Sequence, residues 1–137
     1  MLTEGSGIPI GVAVAGANVH DQKLVQETLA SIPVRRPRPK PRKKQNLCAD
    51  KGYDAKAVRK AARRRRYVPH IPKKGEPAST RRRRGAKARR WVVERTHSWL
   101  NRARRLLTRW EKKAQNYLAF VHLQFAIITL RAAEVLG

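Results

Sequence analysis

Sulfur is almost missing from this chain: one cysteine, Cys48, in 137 residues. A single thiol excludes an internal disulfide and any zinc cluster built on cysteine, and it suits a reducing compartment. Acids are scarce too, nine Asp and Glu against 33 Lys and Arg, for a formal net charge of +24. Long apolar runs are absent. The longest stretch, 118–130, is interrupted by His122, Gln124 and Thr129, and residues 1–10 lack the basic flank and apolar run of a signal peptide. No internal repeat, phosphate-binding glycine loop or His/Cys metal spacing occurs. These absences exclude secreted disulfide scaffolds, membrane-spanning helices, solenoids and zinc modules. They lead to the expectation of a cytoplasmic protein with no membrane partner.

The positive charge is what stands out. A small domain stays soluble at a net charge of about 2–8, and a much larger field repels itself unless a polyanion neutralises it. Residues 35–90 hold 24 Lys and Arg and only three acids (Asp50, Asp54, Glu76), so +21 of the +24 lies mid-chain. Arginine dominates the densest runs. Guanidinium forks match phosphate oxygens in pairs, where an ammonium acts as a point charge. The candidate phosphate contacts are Arg35, Arg36, Arg38, Lys51, Arg63, Arg64, Arg65, Arg66, Lys73, Lys74, Arg81, Arg82, Arg83, Arg84, Arg90 and Arg95. Double-stranded DNA is the expected partner, and the nucleoid the expected location. The plainer alternative is a set of solvated, Arg-rich surfaces from a GC-rich genome.

The chain is about one domain long, with room for one modest core. Residues 8–17, apolar and β-branched after Gly5 and Gly7, read as a buried strand entered straight from a turn. A hairpin needs a strand before its turn as well, so this opening suggests N-terminal truncation. Asp21 reads as the N-cap of a helix over 22–30, which Pro33 stops. In 34–45 prolines alternate with basic residues, giving an extended, mobile arm. A strand over 46–49 ends at Asp50, Gly52 permits a turn, and Asp54 can cap a helix over 55–65 with Ala57, Val58, Ala61 and Ala62 inward. Residues 67–72 read as an edge strand, because Pro69 and Pro72 lack ladder donors. A basic loop over 73–87 follows. A long helix over 88–110 then places Val92, Thr96, Trp99, Ala103, Leu106 and Trp110 on one face, and a last helix over 113–136 is apolar on most sides. Trp91, Trp99 and Trp110 read as packing residues rather than base-stacking platforms. Strands alternating with helices predict an α/β fold: a parallel central sheet flanked by helices, with two long C-terminal helices.

In so basic a chain each acid needs a reason. Asp21, Glu27 and Asp54 serve as caps or helix-surface charges, and Glu111 and Glu134 lie in or beside the last two helices. Asp50 sits at the carboxyl end of a strand, the edge where open α/β sheets place ligands. It could equally be a turn residue accepting a backbone hydrogen bond. Glu94 lies among Arg89, Arg90, Arg95 and Arg102, and could simply pair with Arg90 one turn away. Taken together, two carboxylates on a strand end and a helix are oxygen donors suited to Mg²⁺ or Mn²⁺ and to phosphodiester chemistry. His20, at the end of its strand, is either a hydrogen-bonded loop residue or an accessory group near that site.

Ala49-Asp50-Lys51-Gly52-Tyr53-Asp54, the block from Arg90 through Glu94-Arg95-Thr96 to Asn101, and Arg104-Arg105-Leu106 resemble the C-terminal half of bacterial insertion-sequence transposases of the DDE type. Gly7 to Val12 and Ala17 to Asp21 resemble the same proteins, so the likeness runs over about 5–130. The resemblance implies an incomplete ribonuclease H-like fold in which three acids bind two Mg²⁺ and cut and rejoin DNA at transposon ends. Asp50 is then the second acid, Glu94 the third, and Arg90 its companion. The pattern is partial: many relatives carry Tyr where this chain has Lys87, and Lys where it has Asn101. The family's first acid lies on a strand upstream of residue 8, and Glu4, in a turn, is a poor substitute. On this reading 1–137 is a single, N-terminally truncated catalytic domain, either the product of a split reading frame or a decayed remnant. An N-terminal transposase polypeptide would complete it, and the complete protein would be a homo-oligomer. The rival is a non-catalytic nucleic-acid-binding protein of ribosomal or RNA-binding type, which the Arg blocks suit equally. A membrane-surface protein fits poorly, because the charge is not set opposite one apolar helix face.

Overall fold

The structure, a computed structural model, describes residues 1–75 and 90–134. Leu2–Thr3 (β1) and Pro9–Gly11 (β2) pair as an antiparallel hairpin with a register shift between Leu2 and Thr3. The turn is therefore preceded by a strand, contrary to the expectation from sequence, and the paired strand is three residues rather than ten. Pro9 brings no donor, and the Val12 N–H turns away to the Ser31 hydroxyl at 2.8 Å, so the ladder ends. Glu4 builds the turn itself. Its Oε1 accepts from Ser6 N at 2.7 Å, Ser6 Oγ at 2.6 Å and Ile8 N at 2.9 Å.

Asp21–Leu24 forms a 3₁₀ turn that runs into α1, Val25–Ala30. Asp21 is not the cap. His20 holds that position without a side-chain bond, and Asp21 lies in the first turn, where a carboxylate complements the positive helix end. Gln45–Cys48 (β3), a 3₁₀ turn at Lys51–Tyr53, α2 (Lys56–Arg64) and Tyr67–His70 (β4) make a β–α–β unit. β3 and β4 pair in parallel, with Leu47 opposite Pro69, as the alternation of strand and helix predicts. Val58, Ala61 and Ala62 are buried, whereas Ala57 is exposed. Leu29, Leu47 and Ala62 form the core here, with Leu2, Val25 and Tyr67 packed around them. Each large apolar side chain so buried contributes about 1.5–3 kcal/mol.

The helix expected over 88–110 is in fact two. α3 spans Arg90–Asn101, and Ala103, with extended backbone, separates it from α4, Arg104–Leu107. The first two residues of the expected helix lie outside the described residues. Val92 and Thr96 are buried, but Trp91 is 49% and Trp110 77% exposed, so neither is a core residue. Trp91 is instead covered by the Arg95 guanidinium, 4.5 Å from its ring. α5 covers Ala114–Ala132 and buries Val121, Phe125 and Ile128 on one face, leaving Leu123 and Leu130 exposed. One long C-terminal helix and one of middle length replace the two long ones expected.

The result is mixed α/β, but not one central sheet. Among the described residues β1–β2 and β3–β4 are separate two-stranded sheets. The hairpin links the two halves of the molecule. Leu2 packs into the Leu29–Leu47–Ala62 core, while Gly7, at φ +95°, lies so close to α3 that a Cβ would stand 3.3 Å from Val92 O. Thr96 Oγ1 closes that contact by donating to Gly7 O at 2.5 Å. No helix among the described residues is long and apolar enough to cross a membrane.

Candidate active site

Asp50 leaves β3 in extended backbone and caps the 3₁₀ turn that follows, its Oδ1 accepting from Gly52 N at 2.8 Å. The turn-residue role is thus filled, and it also fixes the carboxylate at the strand's carboxyl end. The Gln22 side-chain amide donates to Gly52 O and ties the turn to the one that begins at Asp21. Between them stands Tyr53. Burial first, then the negative charges of Asp21 and Asp50, push its phenol above the usual range. Asp21 therefore shares a neighbourhood with Asp50 that its reading as a helix cap did not anticipate.

Asp54 does not cap α2, whose N-cap is Ala55. Its Oδ1 takes Arg59 Nη2 at 2.7 Å and its Oδ2 takes Lys74 N at 2.9 Å, so it ties the start of α2 to the segment after β4. The same guanidinium donates to Ile71 O at 2.8 Å. The Arg59 hydrogen bond, and after it the Lys74 N–H, hold the Asp54 carboxyl below its ordinary value.

Glu94 is exposed in the second turn of α3, two residues from Val92 and so on the far side from the buried face. α3 packs against β1, α4 and α5, whereas the Asp50 turn packs against the turn at Asp21. Asp50 and Glu94 thus stand on elements with different main packing partners. Among the described residues no group of three or more His, Cys, Asp or Glu side chains is close enough to hold a metal ion. The donors present suit Mg²⁺ or Mn²⁺ in kind but not in number. Arg90 begins α3, and its side chain lies outside the described residues. His20 is exposed at the head of the Asp21 turn and makes no capping bond.

Most of the predicted phosphate contacts are on the surface. Arg35, Arg38, Lys51, Arg63, Arg64, Arg66, Lys73 and Lys74 are exposed. Arg81, Arg82, Arg83 and Arg84 lie outside the described residues, as does most of the expected basic loop. The 34–45 arm has one bridge, between Lys40 and Lys43, and contacts the body through Arg36. Its Arg36 stacks on Tyr67, 3.8 Å from the ring centroid, and donates to Arg65 O. Arg65 reaches Leu29 O at 2.7 Å, and Arg95 bonds Ser6 O at 3.3 Å while stacking on Trp91.

Residues 47–131 match the family model described as a transposase DDE domain. The chain belongs to that family. The chain is also 37% identical over 139 residues to a putative transposase for insertion sequence element IS402 from Burkholderia cepacia, an alignment covering 98% of this chain and 64% of that protein. The chain thus spans somewhat under two thirds of that relative's length. No solved structure matches it. The matched part of this transposase domain opens at Leu47, midway along β3, and takes in Asp50, α2, β4, Glu94 and nearly all of α5. The hairpin and α1 lie before it. Asp21, Tyr53 and the Arg36–Tyr67 stack went unnoticed as site features in the sequence. Nothing in their spacing marks them, because Asp21 and Tyr53, like Arg36 and Tyr67, are more than 30 positions apart in the chain.

Proposed function

We propose that this chain supplies the later part of a transposase catalytic domain, ribonuclease H-like when complete, that cleaves phosphodiesters at transposon ends and transfers the strands. The observation that carries this reading is Asp50, held at the carboxyl end of a strand in a parallel β–α–β unit, inside the segment that matches the family. Asp50 and Glu94 are the two carboxylates this chain would bring to Mg²⁺ or Mn²⁺, with Arg90 and His20 as accessory groups. Two such ions, when bound, activate water and stabilise the leaving oxygen. A third carboxylate comes, on this reading, from a preceding strand or an N-terminal transposase polypeptide. Among the described residues β1 and β3 each have a strand partner on one side only, so an added strand would find a backbone edge to pair with.

The chain's own residues bind and orient. The exposed arginines and lysines of 34–45, α2 and the loop after β4 hold duplex DNA by its backbone, where charge dominates affinity. The single domain works in the bacterial cytoplasm at the nucleoid, and assembles with further copies when complete.

Expected outcome: the chain with its N-terminal complement nicks duplexes carrying the transposon ends in Mg²⁺. Asp50→Asn and Glu94→Gln each lower the rate about 100-fold or more, since a metal site supplies several kcal/mol to the transition state. Gel-resolved nicking measures this, and undiminished cleavage by both variants would sink the assignment.

A further inference from the structure

Where α2 ends, four arginine residues line one hollow. Arg36, Arg64, Arg65 and Arg66 line a cavity of about 350 Å³ together with Tyr67 and Val34. None of the four pairs with a carboxylate among the described residues, where the ion pairs seen are Arg59–Asp54 and Arg105–Glu111. Cations at a helix C-terminus complement its dipole, which accounts for Arg64 and Arg65. It does not account for the other two.

Arg66 has φ 60°, the left-handed conformation, at the position after a helix where glycine or asparagine is usual. A side chain with a Cβ is disfavoured there, and such strain persists where the surroundings or a function require the residue. Arg36 reaches in from the arm. One face lies on Tyr67, Nη2 donates to Arg65 O, and Nη1 is buried with no acceptor. A buried charged donor without an acceptor is costly, so this nitrogen is short of an oxygen.

We propose that this hollow is a discrete oxyanion site for a phosphate group, with Arg36 and Arg66 as its main donors. The chemistry stands on the hollow itself. That the phosphate is a phosphodiester of a DNA strand rests on the function proposed above. Occupancy would draw Arg36 and Arg66 toward one oxyanion, let the Arg36 fork turn to an acceptor, and lock the arm against α2 and β4. The site would set the path of one strand, where a diffuse basic surface would only raise affinity.

Two variants separate a built site from loose charge. Arg36→Lys keeps the charge and loses the planar fork and the stack. Arg66→Gly removes the side chain and relieves the backbone, so its Tm should be unchanged or higher. Inorganic phosphate, titrated at constant ionic strength, is expected to shift the Arg36 and Tyr67 side-chain NMR signals saturably in the wild-type chain and not in Arg66→Gly. A short duplex should bind Arg36→Lys about tenfold more weakly, the effect of one charge-assisted hydrogen bond. If phosphate gives no saturable shift and Arg36→Lys binds the duplex like wild type, the hollow is no site, although DNA binding stands. If phosphate saturates the hollow but the duplex does not bind, the oxyanion site holds and the DNA source is wrong.

Discussion

Asp50 and Glu94 are held by different kinds of support. Asp50 stands in a unit whose backbone is paired strand to strand and whose core is Leu29, Leu47 and Ala62, and its own carboxylate is bonded to the turn it caps. Glu94 rides on the outer face of a helix whose fixed points are Val92, Thr96 and the hairpin turn at Gly7. The first arrangement is local and mostly backbone. The second rests on the buried Val92 and Thr96 side chains, a close approach at Gly7, and packing against α4 and α5. The positions of the two acids relative to each other therefore depend on the hairpin, which touches both halves.

The largest effect expected is on the Asp50 side. Leu29 is 2% exposed at the centre of the core, so Leu29→Ala leaves a cavity and costs about 2–5 kcal/mol. Urea unfolding should show that loss, with amide exchange rising first in β3, α2 and β4 while α5 stays protected. Equal exposure of α5 at the same denaturant concentration would mean that the halves are one cooperative body.

The contact between the hairpin turn and α3 gives the next effect. Thr96→Val keeps the shape and removes the donor to Gly7 O, leaving a buried carbonyl short of a partner, at about 1–3 kcal/mol. Exchange in α3 and the hairpin should quicken while the β3–α2–β4 amides keep their wild-type rates. Unchanged α3 protection would show that Val92 and the Gly7 approach suffice to hold Glu94.

What the sequence reveals follows the same division. The β3–turn–α2–β4 run was legible in outline, because each element carries its own local signal: a short apolar strand, Gly52 at the turn, small residues at helical spacing, prolines at an edge. The exact role of Asp54 was not, since its partners are a guanidinium and a backbone N–H 20 positions on. In the C-terminal half the three-and-four spacing of apolar residues suggested one helix through Trp110, but the pattern is blind to the break at Ala103. It also counted Trp as core, although an arginine one turn away can cover an indole at the surface. The separate sheets were beyond reach too. Nothing local says that β2 stops at Gly11, where Ser31, 19 positions from Val12, takes over its neighbour's N–H. Of the candidate site, Asp50 and Glu94 could be proposed from the sequence, and the contacts that support each of them could not be read there.

The smallest effect tests the comparison most finely, through one ion pair on each side, Asp54–Arg59 and Glu111–Arg105. Asp54 is held below its ordinary value of 3.8, first by the Arg59 hydrogen bond and then by Lys74 N. Glu111 is held below 4.5, first by the Arg105 hydrogen bond. A carboxyl depressed in the folded state adds stability that is present above its ordinary value and lost as pH falls through the lower folded value. Both contributions thus vanish on the acid side, from about 4.5 downward for Glu111 and from about 3.8 downward for Asp54. They should differ in size. Asp54 uses both oxygens, whereas Glu111 gives only Oε1 to Arg105, at 2.7 Å, and its Oε2 is buried without a partner. Protonating Glu111 loosens contacts to Arg105 and to neighbouring backbone N–H groups within one short stretch, while protonating Asp54 loosens two elements far apart in the chain. Asp54→Asn should therefore flatten the acid limb of the stability curve more than Glu111→Gln does, and added salt should shrink both differences. Matching flattening in the two variants would mean that the acid sensitivity of the fold is spread evenly over its halves and that the tie between α2 and the segment after β4 is not special.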